Sequence, residues 1–128
     1  MAPRPGLSAT VSMQVTDADT ACAFHSGDVE VLATPRVVAL AEEASIKAID
    51  GSLEKGMTTV GYRVQLDHLA PVAPGGTVQA EATLEAVEGK RLTFRVSVTD
   101  THGGLVAAGR ITRVSVERAR FLEKAAGT

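Results

Sequence analysis

The chain has no tryptophan, and its 128 residues include only three phenylalanines and one tyrosine. With so few aromatic platforms and a net charge of −2, it lacks the dense basic surface and the stacking faces that nucleic-acid binding uses, so nucleic acid is not an expected partner. Cysteine occurs once, at Cys22. That excludes an internal disulfide and a cysteine-based metal site, and a lone free cysteine is expected to be a small buried hydrophobe. No window approaches the ~18 consecutive apolar residues of a membrane span, and Met1 to Ser8 lacks a basic segment followed by an apolar run. The expectation is therefore a cytoplasmic protein with no membrane partner. The length suits one domain, residues 1–128, with a single packed core.

What the chain does have is small residues in regular patterns. Leu7 to Val15 alternates apolar and polar positions, the period-two signal of a half-buried strand. Thr16 to Val31 is irregular and polar, with a Ser26-Gly27-Asp28 turn cluster. Val31-Leu-Ala-Thr-Pro35 then runs into Arg36-Val-Val-Ala-Leu-Ala-Glu-Glu-Ala-Ser45. Thr34 before Pro35 reads as a helix N-cap with proline at the first helical position, since the hydroxyl satisfies a backbone donor and proline has no N–H to leave unpaired. Val37, Val38, Leu40, Ala41, Ala44, Ala48 and Ile49 leave little polar face, so the helix is expected to be wrapped by its fold, with Glu42 inside an apolar surround. Asp50-Gly51-Ser52 ends it.

Strands follow to the end of the chain. Thr58 to Leu69 places Val60, Tyr62, Val64, Leu66 and His68 on one face and Gly61, Arg63, Gln65 and Asp67 on the other. Thr77 to Val87 alternates again, Glu88-Gly89-Lys90 forms a hairpin turn, and Leu92 to Val98 returns. Leu105 to Val116 is the last long strand, and Glu117 to Lys124 reads as a short terminal helix or a frayed extension. One strand, a long apolar helix and four antiparallel strands make an α+β architecture in which a curved sheet covers the helix.

These residues resemble the hot-dog fold acyl-CoA thioesterases, and within them the group related to fluoroacetyl-CoA thioesterase. The resemblance rests on Val31-Leu-Ala-Thr-Pro35 with Glu42 eight residues after Thr34, Val60-Gly61 with His68 seven residues after Gly61, Pro74-Gly75, Val87-Glu-Gly-Lys-Arg-Leu92, and Gly109 followed by Arg113. It implies a curved antiparallel sheet around one central helix, hydrolysis of a small acyl-CoA thioester, and a site at a homodimer interface or a multiple of it. By motif match it implies Thr34, Glu42 and His68 as the catalytic set, with Gly61 and Arg113 at the acyl site. Coenzyme A enters as part of the substrate, so no cofactor is expected. Upstream of Thr34 the chain departs from the group's aromatic lid, having Ser26-Gly27-Asp28-Val29-Glu30 there. Asp28 is a candidate for contact with the acyl group, or a turn cap, and the replacement implies a more flexible, hydrated mouth with little preference for a fluorinated acyl group.

Thioester hydrolysis needs a nucleophile or activated water, a proton acceptor that later donates, and a dipole aimed at the oxyanion. Threonine, histidine, glutamate and a helix N-terminus cover those roles. Glu42 is about 12 Å along the helix axis from Thr34, so the two cannot touch; either they flank a substrate thioester, or Glu42 meets the histidine of the other subunit, or it pairs with a cation such as Arg63 or Arg113. Glu43 points about 100° away and is expected to be a solvated charge. Arg36, Lys47, Lys90, Arg91, Arg110, Arg113 and Arg118 are candidates, as a group, for the coenzyme A phosphates. His25 and His102 lie in turn-like segments, and the three histidines have no metal-ligand spacing, so no metal is expected. Two other readings of the same fold are a non-catalytic acyl-CoA-binding module and an enoyl-CoA hydratase, which would need an Asp/His pair on a helix-side motif.

Overall fold

The computed structural model describes residues 2–127. Strand β1 (Ser8–Gln14) leads through a short 3-10 turn at Asp17–Asp19 and a long loop into helix α1 (Thr34–Ala48). Four strands follow, β2 (Met57–His68), β3 (Thr77–Glu88), β4 (Arg91–Asp100) and β5 (Leu105–Glu117), and the chain closes with α2 (Arg118–Ala125). All strands pair antiparallel in one sheet of order β1-β3-β4-β5-β2. The alternation in the sequence located each strand to within one or two residues, the largest difference being at the end of β4, which runs on to Asp100.

Helix α1 packs against all five strands. Strands spaced at about 4.8 Å make a sheet roughly twice as wide as a helix, so contact with every strand requires the sheet to curve around α1. Val37, Leu40, Ala41, Ala44, Ser45 and Ala48 form the buried face of the helix. Opposite them lie Val78, Ala80, Ala82 and Leu84 of β3, then Phe94, Val96 and Val98 of β4, and Ala107 and Ile111 of β5. The recurrent alanines let the helix approach closely, and Phe94 is the one aromatic side chain in this core. The fully apolar surround expected for α1 holds on one face only, since Ala39, Glu43, Ile46 and Lys47 are exposed. Cys22, expected to be buried, is exposed, because the turn that carries it lies outside the core.

Strand β2 differs from the expected alternation in a way that matters for the site. Gly61 lies opposite Arg113 but Arg63 opposite Thr112, so Tyr62 is the extra residue of a β-bulge. The bulge reverses the alternation beyond it. Gly61 therefore shares a face with Val64, Leu66 and His68, whose partners include the buried Ile111 and Ala107. Gly109, opposite Leu66, is needed for close approach, because a Cβ there would be driven into the Gln65 carbonyl oxygen.

Backbone atoms cannot yield as a flexible side chain does, so Gly109→Ala is expected to destabilise the protein by about 1–3 kcal/mol. Chemical denaturation measures this, and a change near zero would show that β2 and β5 can separate at this point without cost.

Candidate active site

Thr34 is the first residue of α1, and the cap position belongs to Ala33, whose backbone is extended and whose carbonyl accepts the Arg36 and Val37 N–H groups. The expected N-cap role of the threonine is thus displaced by one residue, and its hydroxyl makes no capping bond. Instead, Thr34 Oγ1 and His68 Nδ1 share a hydrogen bond of 2.8 Å. His68 is set by the end of β2, where it lies opposite Ala107 and the next two N–H groups donate to the Val106 carbonyl. Its other ring nitrogen, Nε2, is buried with no hydrogen-bond partner among the described residues. A buried ring nitrogen left without a partner costs about 1–3 kcal/mol.

Beside this pair lies a cavity of about 350 Å³, lined in part by Asp28, Val29, Leu32, Thr34, His68 and Pro71. Its outer wall is the loop between β1 and α1. The two ends of this loop are tied by backbone bonds: Ala21 N–H donates to the Val31 carbonyl, Leu32 N–H to that of Val72 and Ala33 N–H to that of Asp19. Asp19 also binds Arg36 Nε at 3.1 Å, which ties the wall to the first turn of α1. Burial pushes the Asp19 carboxyl up, but the Thr16 N–H and hydroxyl and the Arg36 guanidinium outweigh it and hold it below the usual carboxylate range. Asp28 and Gly27 line the mouth, where they are exposed and small or polar.

A second cluster lies further along α1. Arg113 Nη1 donates to Glu42 Oε2 at 3.1 Å, Nε to Thr59 Oγ1 at 2.9 Å and Nη2 to the Thr59 carbonyl at 3.0 Å. Arg113 is 6% exposed. Burial pulls its guanidinium below its ordinary value, and the Glu42 charge opposes that pull. Of the two cations weighed for Glu42, Arg113 is its partner; Arg63 lies over the Tyr62 ring. Gly61 abuts the pair, since a Cβ there would fall 2.7 Å from Glu42 Oε2. Glu43 is exposed, as expected of a solvated charge.

The residues singled out in the sequence thus form two groups in one chain. Thr34, His68 and Asp28 line one cavity; Glu42, Arg113 and Gly61 meet elsewhere, and no hydrogen bond or ion pair among the described residues joins Glu42 to His68. Thr59, which holds Arg113, was missed, although its place two residues before Gly61 on the same strand face was a usable signal. Several cations proposed for phosphate are otherwise engaged: Arg36 by Asp19, Arg110 by both oxygens of Glu85 at 2.7 and 3.0 Å, and Lys47 by the Thr10 carbonyl. Among the described residues, no three His, Cys, Asp or Glu side chains gather in a metal-binding arrangement, and no helix is long and apolar enough to cross a membrane.

This geometry has counterparts among known proteins. A family model described as fluoroacetyl-CoA-specific thioesterase matches residues 15–119. The fluoroacetyl-CoA thioesterase of Streptantibioticus cattleyicolor is 42% identical over 71 residues, covering 56% of this chain and 51% of that protein, so the match spans about half of its length. A solved structure of a fluoroacetyl-CoA thioesterase is 29% identical, with a TM-score of 0.92 over 100% of this chain and 98% of that one. A Thermus thermophilus hypothetical protein of the thioesterase superfamily is 33% identical, with a TM-score of 0.88 over 96% and 91% of the two chains. The architecture is the hot-dog fold.

A Cβ at Gly61 would collide with the movable end of a side chain and not with backbone. Gly61→Ala is therefore expected to displace Glu42 from the buried Arg113, destabilising the fold by about 1–3 kcal/mol and lowering kcat/KM at least about tenfold. Thermal unfolding and steady-state kinetics measured together check this; full activity in the Gly61→Ala variant would show that the Glu42 carboxylate position is unimportant.

Proposed function

The chain belongs to the fluoroacetyl-CoA-specific thioesterase family, and from that premise we propose that it hydrolyses a small acyl-CoA thioester to the free acid and coenzyme A, at a site completed by two copies of the chain. The observation that carries this reading is the 2.8 Å hydrogen bond between Thr34 and His68 beside an open cavity of about 350 Å³. A hydroxyl that accepts from the Nδ1–H of an imidazole at that separation holds the ring as a general base for acyl transfer to water. In the net reaction, water adds to the acyl carbon, the C–S bond breaks, and the proton taken up by His68 passes to the departing thiolate. Thr34 fixes the ring through Nδ1 and leaves Nε2 for that proton. The first turn of α1 offers its positive end to the oxyanion.

The dimer follows from an unpaired edge. Strand β2 is twelve residues long and lies at one side of the sheet with Gly61 to Gln65 exposed, a length of free backbone that proteins normally cover. Pairing two β2 strands antiparallel about a two-fold axis runs the His68 end of one past the Met57 end of the other. That places the Glu42, Gly61 and Arg113 group of one copy near the Thr34 and His68 group of its partner, where Glu42 orients the attacking water or the ring. In this reading coenzyme A is part of the substrate, no cofactor or metal takes part, and the enzyme works in the cytoplasm as one domain.

His68→Ala and Glu42→Gln are each expected to lower turnover by about 10²–10⁴-fold in a thiol-release assay with acetyl-CoA, with the fold retained. Glu43→Gln is expected to change kcat/KM by less than about twofold, ~0.4 kcal/mol. Equal damage at Glu43, or full activity without His68, would contradict the assignment, and no thiol release by the unaltered protein would favour a non-catalytic binding module. Sedimentation is expected to give a dimer or a multiple of it, and a fully active monomer would overturn the shared site.

With a polar mouth at Asp28 in place of an aromatic lid, discrimination between fluoroacetyl-CoA and acetyl-CoA is expected to follow their uncatalysed reactivities. A kcat/KM ratio more than about a hundredfold above the chemical one, roughly 2.7 kcal/mol, would show a selective pocket.

A further inference from the structure

We propose that Asp19 is a positioning residue for the Thr34–His68 pair, setting through Ala33 and Arg36 where the first turn of α1 stands. This rests on the reading of that pair as the catalytic one. The start of α1 requires such a fixture, because its cap residue is Ala33, whose methyl group cannot accept a hydrogen bond from the first turn. The same turn carries a cation, Arg36, and no acidic residue, the reverse of what the helix dipole favours. Both deficits are met from outside the helix by one residue.

Asp19 grips the chain on either side of Thr34. Its carbonyl accepts the Ala33 N–H at 2.9 Å, and its Oδ1 accepts from Arg36 Nε at 3.1 Å. The other carboxylate oxygen, Oδ2, accepts the Thr16 N–H at 2.8 Å and the Thr16 hydroxyl at 2.9 Å, so both oxygens are committed and the group is held against rotation. Thr16 in turn follows Val15, which is 1% exposed, donates its N–H to the Gly76 carbonyl at 2.8 Å and accepts that of Gly75 at 2.7 Å. The grip is thereby referred to the end of β1 and the core. The Asp19 and Arg36 side chains are 15% and 22% exposed, against 30% and 54% for Glu85 and Arg110. A pair this sheltered is screened less than an exposed one.

The pair it serves spans two elements. His68 is anchored apart from α1, since the Leu69 and Ala70 N–H groups both donate to the Val106 carbonyl and fix the end of β2 to β5. The 2.8 Å bond from His68 Nδ1 to Thr34 Oγ1 therefore joins two separately held parts of the fold. A displacement of the first turn by about 1 Å would carry it beyond hydrogen-bonding range. The ring would then lose the contact that orients Nε2, and misplacement on this scale is costly to a reaction that depends on alignment.

Two variants of the full-length protein test this. Arg36→Gln breaks the link while leaving Asp19 on Thr16, and Asp19→Asn weakens both ends of it. Each is expected to lower kcat for acetyl-CoA about tenfold with KM within about twofold. The double variant is expected to lose no more than either alone, since the two residues act through one bond. Imidazole nitrogen NMR shifts at fixed pH give a readout independent of turnover. Both variants are expected to move the His68 shifts in the direction that Thr34→Ala moves them, with the exposed His25 and His102 unmoved. Unmoved His68 shifts in both variants, a rise in KM at unchanged kcat, or losses that multiply in the double variant would overturn the proposal. If the shifts moved as expected but the unaltered protein released no thiol from acetyl-CoA, the positioning by Asp19 would stand and the hydrolytic reading would fall.

Discussion

The close approach of α1 to the sheet is the constraint on which the site depends. Ala41, Ala44 and Ala48 of the helix and Ala80, Ala82 and Ala107 of the strands belong to one buried cluster, and α1 packs against every strand, so small side chains line both sides of the layer. At that spacing a threonine in the first turn reaches a histidine at the end of β2, and a glutamate two turns later reaches an arginine on β5. An added methylene at one of these alanines costs about 1–3 kcal/mol in a packed core and shifts the helix from which both groups project. Packing and chemistry are therefore one requirement here.

The buried Arg113 connects the two. Three of its nitrogens are bound, two by Thr59 and one by Glu42, which fixes the guanidinium in place. Removing a partner from a buried ion is costly because the remaining charge is left unpaired. Glu42 thus balances a buried cation while standing, 32% exposed at its side chain, where another molecule can meet it. Gly61 keeps that space open, and the bulge one residue later turns His68 to the same face.

Much of this was legible in the sequence, for identifiable reasons. Period-two alternation is a local signal, and it located all five strands; the proline and the apolar spacing located α1. Thr34, Glu42, His68, Gly61 and Arg113 were picked out by their match to the family's motifs, and Glu42 also by its apolar surroundings. What was not legible depends on partners distant in the chain. The Tyr62 bulge exists only in relation to β5, so alternation alone put Gly61 and His68 on opposite faces. Thr34 had the chemistry of a cap, and only the arrival of His68, 34 residues later, gave its hydroxyl another partner. The ties at the ends of the loop between β1 and α1 run to Val72 and within the loop itself, which composition does not reveal. Arg36, a candidate for phosphate, is engaged by Asp19, a choice that charge patterning cannot reveal.

Two groups anchored on one helix, with a free sheet edge beside them, form a site that one copy leaves incomplete. The direct measurement is complementation between inactive variants. When His68→Ala and Glu42→Gln chains are co-expressed and the mixed dimer is isolated, a site built from His68 of one copy and Glu42 of the other gives one intact and one doubly impaired site. About half of the unaltered activity per dimer is then expected, against almost none for either variant alone. A mixed dimer as inactive as its parents would place His68 and Glu42 of the same copy in one site and contradict the account.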